Sequence, residues 1–264
     1  MTDRRTETGQ DGLADPTDAR SNCGVGVVMD LDGGSSHEVV RDGLELVACM
    51  EHRGTTGAEK ETGDGAGILL QIPHEFFAGE LDVDLPDPGE YAVGSLFLPK
   101  DEDAREALKT RVEELLDEEG LDVLAWRSVP TNNKGLGQTA LDSEPEIEQL
   151  FVTSQDDVSE EEFGRQLYIG RSVVENTIED EQPEGSDRFY IVSLDRKTVV
   201  YKGLLKAEQV EDYFLDLSDE RMHSTFAMVH ARFSTNTLGA WHLAHPYRNI
   251  IHNGEFNTIQ GNIN

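Results

Sequence analysis

The feature that most constrains this chain is the run SNCGVGVV at residues 21–28, where a cysteine directly precedes a short strand-like stretch of glycine and valine. A cysteine thiol is intrinsically nucleophilic, and a small fraction is thiolate at neutral pH. Cleavage before Cys23 would give it a free α-amino group with a pKa of roughly 7.7–8.0. Nucleophile and base would then belong to one residue. The same pattern also fits a buried strand cysteine behind a disordered leader, and that alternative stays open.

The glycines of this run favour close approach of another group to the backbone. Gly24 and Gly26 carry no side chain, and we interpret them as leaving room for a substrate beside the strand. Residues 1–22 contain no apolar core and are rich in Asp, Arg, Thr and Gly, which predicts a disordered leader and excludes a secretory signal.

The charge of the chain limits its partners. The sequence has 53 acidic and 22 basic residues and a formal net charge of −31. Such a surface repels nucleic acid and anionic membranes, so we expect neither as a partner. The acidic residues alternate with apolar ones along the chain, which indicates a folded protein with a carboxylate-rich surface. We expect a halophilic cytoplasm, where salt screens the repulsion; unfolding in low salt would support this, and full stability there would contradict it.

The cysteine count and the hydropathy exclude disulfide-rich proteins, four-cysteine metal sites and membrane-spanning segments. Cys23 and Cys49 are the two cysteines, too few for a disulfide framework or a four-cysteine metal site. We interpret Cys49 as a small hydrophobic packing residue. No run of about 18 apolar residues is present, so no membrane span is expected and the predicted location is cytoplasmic.

Periodicity and turn residues predict one domain of mixed α and β structure. Strands are predicted at 24–31, 68–72, 91–98, 121–129, 146–153, 226–233 and 249–256, and helices at 37–52, 101–119, 159–179 and 207–215. Two further strands, 188–194 and 198–201, flank a charged turn and are predicted to form a hairpin. The first strand is apolar at nearly every position, so we expect both its faces to be buried. The whole pattern suits sheets packed together and covered outside by helices.

Two glycine-dense stretches, residues 52–57 and 62–67, lie between the first helix and the second strand. Glycine at this density permits close backbone approach, as in a loop folded over a ligand. A nucleotide site is disfavoured, because neither phosphate-binding glycine pattern occurs in its strand–helix context.

The C-terminal part of the chain contains a second group of candidates. Arg232 lies at the end of a predicted buried strand, and its guanidinium suits a carboxylate in bidentate geometry. Asn253 and Gly254 place a side-chain amide beside a backbone N–H, the two donors that a developing oxyanion needs, although Asn-Gly is also an ordinary turn. For the histidines His230, His245 and His252 we favour a structural, hydrogen-bonded role.

The candidates occur together in an order that resembles a known family. The matching stretches are CGVG at 23–26, MEHRG at 50–54, ETGDGAG at 61–67, VYKG at 200–203, VHARFSTNT at 229–237, HNGEFNT at 252–258 and GN at 261–262. In this order they resemble the glutaminase domain of the glutamate synthase large chain, a class II glutamine amidotransferase.

The resemblance implies an α+β fold, a four-layer αββα sandwich of the N-terminal-nucleophile hydrolase type. It implies a leader at 1–22 that is removed, and an amidotransferase domain at 23–264. Cys23 would attack the carboxamide of L-glutamine with its own α-amino group moving the proton. The other implied site residues are Asn253 and Gly254 at the oxyanion, Arg232 at the α-carboxylate, and Thr235 and His245 in substrate binding.

The resemblance also implies partners outside the chain. Ammonia would pass to a synthase domain or subunit that aminates 2-oxoglutarate. No cofactor is expected in this segment, whereas FMN and an iron–sulfur cluster are expected in the full-length enzyme beyond residue 264. The chain stops before the family's downstream acidic residue that binds the glutamine α-amino group, so we expect the domain to be truncated at its C terminus.

Three alternatives remain at this point. The chain could be an unprocessed, non-catalytic fragment that binds glutamine or a partner. It could be an N-terminal-nucleophile hydrolase that acts on another amide, although Arg232 favours a substrate with an α-carboxylate. A purely structural acidic domain would leave the joint occurrence of Cys23, Arg232 and Asn253-Gly254 unexplained.

Overall fold

The computed structural model describes residues 24–50, 59, 61–232 and 239–250. The strands in these residues are β1 (Gly24–Met29), β2 (Ala66–Gln71), β3 (Tyr91–Leu98), β4 (Leu121–Ser128), β5 (Glu146–Ser154), β6 (Tyr190–Asp195), β7 (Thr198–Gly203) and β8 (Phe226–Ala231). The helices are α1 (His37–Ala48), α2 (His74–Glu80), α3 (Glu102–Glu118), α4 (Gln138–Ser143), α5 (Glu160–Glu181) and α6 (Gln209–Tyr213). Short 3₁₀ helices lie at Ser186–Arg188, Leu215–Ser218 and Trp241–Leu243.

The strands form two antiparallel sheets, which confirms the α+β class. The first sheet has the order β1-β8-β2-β7, and the second has the order β4-β5-β3-β6. Helix α1 packs on β1, β8 and β2 of the first sheet, whereas α3 and α5 pack on the second. One core cluster contains buried residues of both sheets, and another lies between the second sheet and helices α3 and α5.

The predicted hairpin at residues 188–201 is wrong. Strands β6 and β7 form and are separated by the predicted turn, but β6 pairs with β3 in the second sheet and β7 pairs with β2 in the first. The Asp195 carboxylate accepts from the backbone amides of Lys197 and Thr198 at 2.7 and 3.0 Å, which fixes the turn. The turn therefore carries the chain from one sheet to the other.

Two burial predictions are also wrong. Strand β1 alternates between half-buried and exposed residues, and the side chains of Val25, Val27 and Met29 are 38, 45 and 56% exposed. Since β1 is an edge strand with one face under α1, its opposite face is open. Cys49, at the C-cap of α1, is exposed rather than packed.

Helix starts agree with the local signals. The Ser159 side chain accepts from the Glu162 backbone amide at 3.2 Å, as the capping pattern predicts, and Asp101 caps α3 in the same way through Ala104. Helices α2 and α4 were missed, because seven and six residues are too few for a clear helical period. Of the strand predicted at 249–256, Asn249 and Ile250 are not in a strand, and the rest lies outside the described residues.

A buried ion pair ties the second sheet to the segment before β8. The Arg127 guanidinium donates to both carboxylate oxygens of Asp216 at 2.7 and 2.8 Å, and also to the Gln149 side chain. The Tyr201 hydroxyl donates to Asp216 as well, at 3.1 Å. Asp216 is 4% exposed, so its charge depends on Arg127, whereas Arg127 has a second and longer ion pair with Glu80 at 3.7 Å.

We expect Asp216→Asn to destabilise the fold by up to about 3–5 kcal/mol, because the buried Arg127 loses its bidentate partner and keeps only the part-exposed Glu80 carboxylate, at 3.7 Å. Urea unfolding of the two proteins measures the difference. Glu161→Gln, at an exposed ion pair with Arg165 on α5, is the matched control and should change stability by less than about 1 kcal/mol. Equal effects of the two substitutions would contradict this account of the buried pair.

In the described part of the chain, no helix is long and apolar enough to cross a membrane.

Candidate active site

Four residues pair in a row across one end of the first sheet. The row runs Gly24, Ala231, Ala66, Gly203, from β1 through β8 and β2 to β7. Gly24 is the residue after Cys23, and Ala231 is the residue before Arg232. The register therefore brings the start of β1 to the end of β8, and Arg232 directly follows that end.

The loop that precedes β2 closes on the same row. The backbone amide of Arg232 donates to the Gly65 carbonyl oxygen at 2.7 Å. This bond uses the main chain alone, so it fixes where Arg232 leaves the sheet without engaging the guanidinium. The half-buried Arg232 side chain thus starts from a backbone position held by two neighbouring strands and a loop.

The glycines of residues 62–67 make room for neighbouring parts of the protein, and that the loop also covers a ligand stays a prediction. A Cβ atom on Gly63 would lie 2.2 Å from the main chain of Leu205. A Cβ on Gly65, whose φ is +124°, would lie 2.9 Å from the Cβ of Ala244. The other glycine-dense stretch, residues 52–57, lies outside the described residues.

Gly24 and Gly26 serve helix packing, so their interpretation as room for a substrate is wrong. A Cβ on Gly24 would lie 2.5 Å from the sulfur of Met50, and one on Gly26 would lie 2.4 Å from Cδ2 of Leu46. Helix α1 and the residue that follows its C-cap therefore occupy that face of β1.

The terminal described segment, residues 239–250, packs on the row of small residues. The Trp241 ring lies where a Cβ on Gly203 would be, at 2.5 Å, and Ala244 lies against Gly65. The Trp241 indole N–H donates to the Ala140 carbonyl at 3.2 Å. The segment therefore packs on Gly65, directly before β2, and on Gly203, the last residue of β7. This packing brings the glycine-containing stretches 61–67 and 200–203 together.

This packing brings His245 to the end of β8. The His245 ring stacks on the ring of His230, with a centroid separation of 4.4 Å and an interplanar angle of 24°. His230 is fully buried in β8, two residues before Arg232. The structure therefore brings two of the candidates, Arg232 and His245, to the same strand end, with His230 packed between sheet and segment.

Lys202, next to Gly203 at the end of β7, was not among the candidate site residues predicted from the sequence. Its ammonium donates to the main-chain carbonyls of His242 at 3.0 Å and Ala244 at 2.8 Å. It also lies 4.9 and 4.7 Å from the ring centres of Tyr190 and Tyr247. The available signal was a lysine inside an otherwise apolar strand pattern, which requires an explanation wherever it occurs.

The pKa of His242 depends on burial and on the basic side chains near it. Burial lowers the pKa of His242, and the positive charges of Lys202 and Arg232 lower it further. The His242 ring lies 5.7 Å from that of Tyr190. Lys202 and Arg232 are thus basic groups close to His242, although the whole chain is strongly acidic.

The other four predicted site residues, Cys23, Thr235, Asn253 and Gly254, lie outside the described residues. Within the described part of the chain, no three His, Cys, Asp or Glu side chains converge on a common point where a metal ion could bind.

Comparison with known proteins assigns the family. The model of the family described as glutamine amidotransferases class-II matches residues 23–264, so the match begins at Cys23. The chain belongs to the class II glutamine amidotransferases. This confirms the resemblance drawn from the ordered motifs, and it makes the chain an enzyme domain of that class.

Among its relatives are large chains of glutamate synthases. This amidotransferase domain is 43% identical over 255 residues to the NADPH glutamate synthase large chain of Bacillus subtilis (strain 168). It is 42% identical over 255 residues to ferredoxin-dependent glutamate synthase 1 of Arabidopsis thaliana and 42% identical over 253 residues to the NADPH glutamate synthase large chain of Azospirillum brasilense. These matches cover 94–96% of this chain but 16% of each relative. The chain therefore spans about a sixth of the length of the curated relatives that it matches.

Proposed function

We propose that this chain is the glutaminase part of a glutamate synthase. It hydrolyses L-glutamine to glutamate and delivers ammonia to a synthase domain or subunit that aminates 2-oxoglutarate. The observation that carries the proposal is the register of β1 and β8, in which Gly24 pairs with Ala231. In this register the nucleophile directly before Gly24 and the arginine directly after Ala231 belong to the same end of the sheet. An α-amino acid amide requires this combination of a nucleophile for the amide and a cation for the α-carboxylate.

The reaction assigns one step to each group. The thiolate of Cys23 attacks the side-chain carbonyl carbon of glutamine and forms a C–S bond, while the Asn253 amide and the Gly254 N–H stabilise the oxyanion. The α-amino group of Cys23 takes the thiol proton and transfers it to the leaving nitrogen, so that the C–N bond breaks and ammonia departs. Water then hydrolyses the glutamyl thioester, which gives glutamate and restores the thiol.

Substrate selection is assigned to the end of the site that contains Arg232. Arg232 binds the α-carboxylate of glutamine, and a charge-assisted pair of this kind is stronger than a neutral hydrogen bond. Thr235 and His245 complete the substrate contacts. The stacking of His245 on His230 beside the end of β8 supports this role, because it keeps the ring near Arg232.

Processing and cofactors follow from the same assignment. Removal of the leader at residues 1–22 would create the α-amino group, and the family match that begins at residue 23 supports this. We propose the four-layer αββα arrangement of N-terminal-nucleophile hydrolases, supported by a core that contains residues of both sheets and by helices packed on each sheet. FMN and the iron–sulfur cluster are assigned to the remainder of a longer enzyme, with L-glutamine as the ligand of this domain.

The test is glutamine hydrolysis by protein whose mature N terminus is known from its intact mass. Ammonia release is compared for L-glutamine, L-asparagine and 4-aminobutanamide, an analogue of glutamine that lacks the α-carboxylate. We expect protein that begins at Cys23 to prefer glutamine by about 100-fold or more over the analogue. Equal rates for all three amides from such protein would contradict the proposal and favour a hydrolase of different specificity.

A further inference from the structure

We propose that Lys202 is a positioning residue for glutamine binding, which fixes the backbone of residues 242–244 and thereby holds the His245 ring beside the end of β8. The proposal rests on the proposed function, because it assigns His245 to the glutamine site. It adds a residue on β7 to the residues already assigned to the glutamine site. Lys202 acts through the segment alone.

The contacts of Lys202 converge on that segment. The ammonium donates to two carbonyls, those of His242 and Ala244, which flank Leu243 and directly precede His245. It also lies against the ring of Tyr247, two residues beyond His245. Its contacts therefore bracket His245 on both sides along the chain.

The environment of Lys202 is unfavourable for stability, which argues against a merely structural role. Lys202 is 1% exposed, and among the described residues no Asp or Glu forms an ion pair with it. Burial lowers its pKa to about 7, and the nearby charge of Arg248 lowers it as well. An apolar side chain of similar length would fill this space without desolvating a charge. A lysine here is explained by its N–H donors, which an apolar side chain lacks.

A second cation holds the far end of the same segment. The Arg248 guanidinium donates to the Glu175 carboxylate on α5 and to the Ile191 carbonyl on β6. Lys202 and Arg248 thus hold residues 242–248 against both sheets. In sequence this segment lies between Arg232 and Asn253.

The first experiment asks whether Lys202 holds the segment. Lys202→Met removes the ammonium and keeps the length of the side chain, so the carbonyls of His242 and Ala244 lose their donor. Hydrogen exchange followed by peptide mass spectrometry should show at least tenfold faster exchange in peptides that cover residues 239–250. Lys197→Met, an exposed lysine at the other end of β7, is the matched control and should leave this exchange unchanged. Unchanged exchange in Lys202→Met overturns the proposal whether or not the protein hydrolyses glutamine.

The second experiment asks whether the held segment serves glutamine. We expect Lys202→Met to raise KM for glutamine about tenfold and to change kcat less than threefold, since the nucleophile and the oxyanion donors are untouched. The rate at which iodoacetamide alkylates Cys23 is a readout independent of the pocket and should change less than twofold, with the exposed Cys49 as internal reference. The thermal midpoint of Lys202→Met should equal or exceed that of the wild type.

The outcomes separate this inference from the proposed function. Faster exchange together with a raised KM supports both. Faster exchange with an unchanged KM overturns the positioning role in glutamine binding. A lowered thermal midpoint with unchanged KM per folded molecule identifies a structural lysine and also overturns it. A wild type that begins at Cys23 and hydrolyses no glutamine refutes the proposed function and, with it, the role of Lys202 in glutamine binding. The exchange data then decide only whether Lys202 holds the segment.

Discussion

Replacing Cys23 with alanine is expected to abolish glutamine hydrolysis, with a loss of roughly 10⁴- to 10⁶-fold in kcat, the range seen when a catalytic nucleophile is removed. The physical reason is that no covalent intermediate can form without the thiolate, so water must attack an unactivated amide. The measurement is glutamate release under saturating glutamine. Intact mass must establish for each protein that residues 1–22 have been removed, since an unprocessed chain has no free α-amino group at residue 23.

The control for this substitution is Cys49→Ala. Cys49 is exposed at the end of α1, has the same side-chain chemistry, and belongs to no proposed step, so its loss should leave the rate within about twofold. Cys23→Ala should bind glutamine with an affinity near that of the wild type, because Arg232 and His245 are unchanged. Hydrolysis that persists in processed Cys23→Ala would refute the nucleophile assignment. A wild type that binds glutamine and keeps its leader would favour the non-catalytic alternative.

Replacing Arg232 with methionine is expected to raise KM for glutamine about 100-fold, because a charge-assisted contact to the α-carboxylate is lost. The backbone of residue 232 should stay in place, since its position depends on the bond from its amide to the Gly65 carbonyl and not on the guanidinium. We therefore expect the thermal midpoint to change little. Steady-state kinetics over a wide range of glutamine concentrations separates KM from kcat.

The analogue 4-aminobutanamide makes this test specific. It lacks the α-carboxylate, so wild type and Arg232→Met should hydrolyse it at rates within about threefold of each other. Arg41→Met, at an exposed arginine on α1 whose distance to Glu38 is 3.8 Å, is the matched control and should behave as wild type with both amides. Equal losses for glutamine and the analogue in Arg232→Met would contradict carboxylate recognition and indicate a general disturbance of the site.

Much of the fold was predictable because its signals are local. Strand β3 coincides with the prediction of 91–98, and α3 and α5 begin after Asp101 and Ser159, whose side chains cap the first turn. Within α3 the apolar residues Leu108, Val112 and Leu115 recur at helical spacing and are buried. Caps and helical periods act within a few residues, so the sequence carries them directly.

The candidate site was predictable in its residue types and less so in its geometry. Arg232 directly follows β8, and the ordered motifs led to the correct family. The glycines of β1 were misread, because Gly24 and Gly26 accommodate Met50 and Leu46 and not a substrate. A glycine indicates that another group packs close to the backbone, but the sequence does not identify that group.

The sequence by itself determined the class of the chain, the bounds of most strands and helices, and the family, since each depends on residue order or on local periodicity. Tertiary structure alone decided which strands pair: β6 and β7 are separated by a tight turn and still belong to different sheets. It also decided that Lys202, in an apolar strand, meets the carbonyls of His242 and Ala244 some 40 residues later. A period of two reports which side chains share a face, whereas partners across sheets are selected by the packing of the whole core.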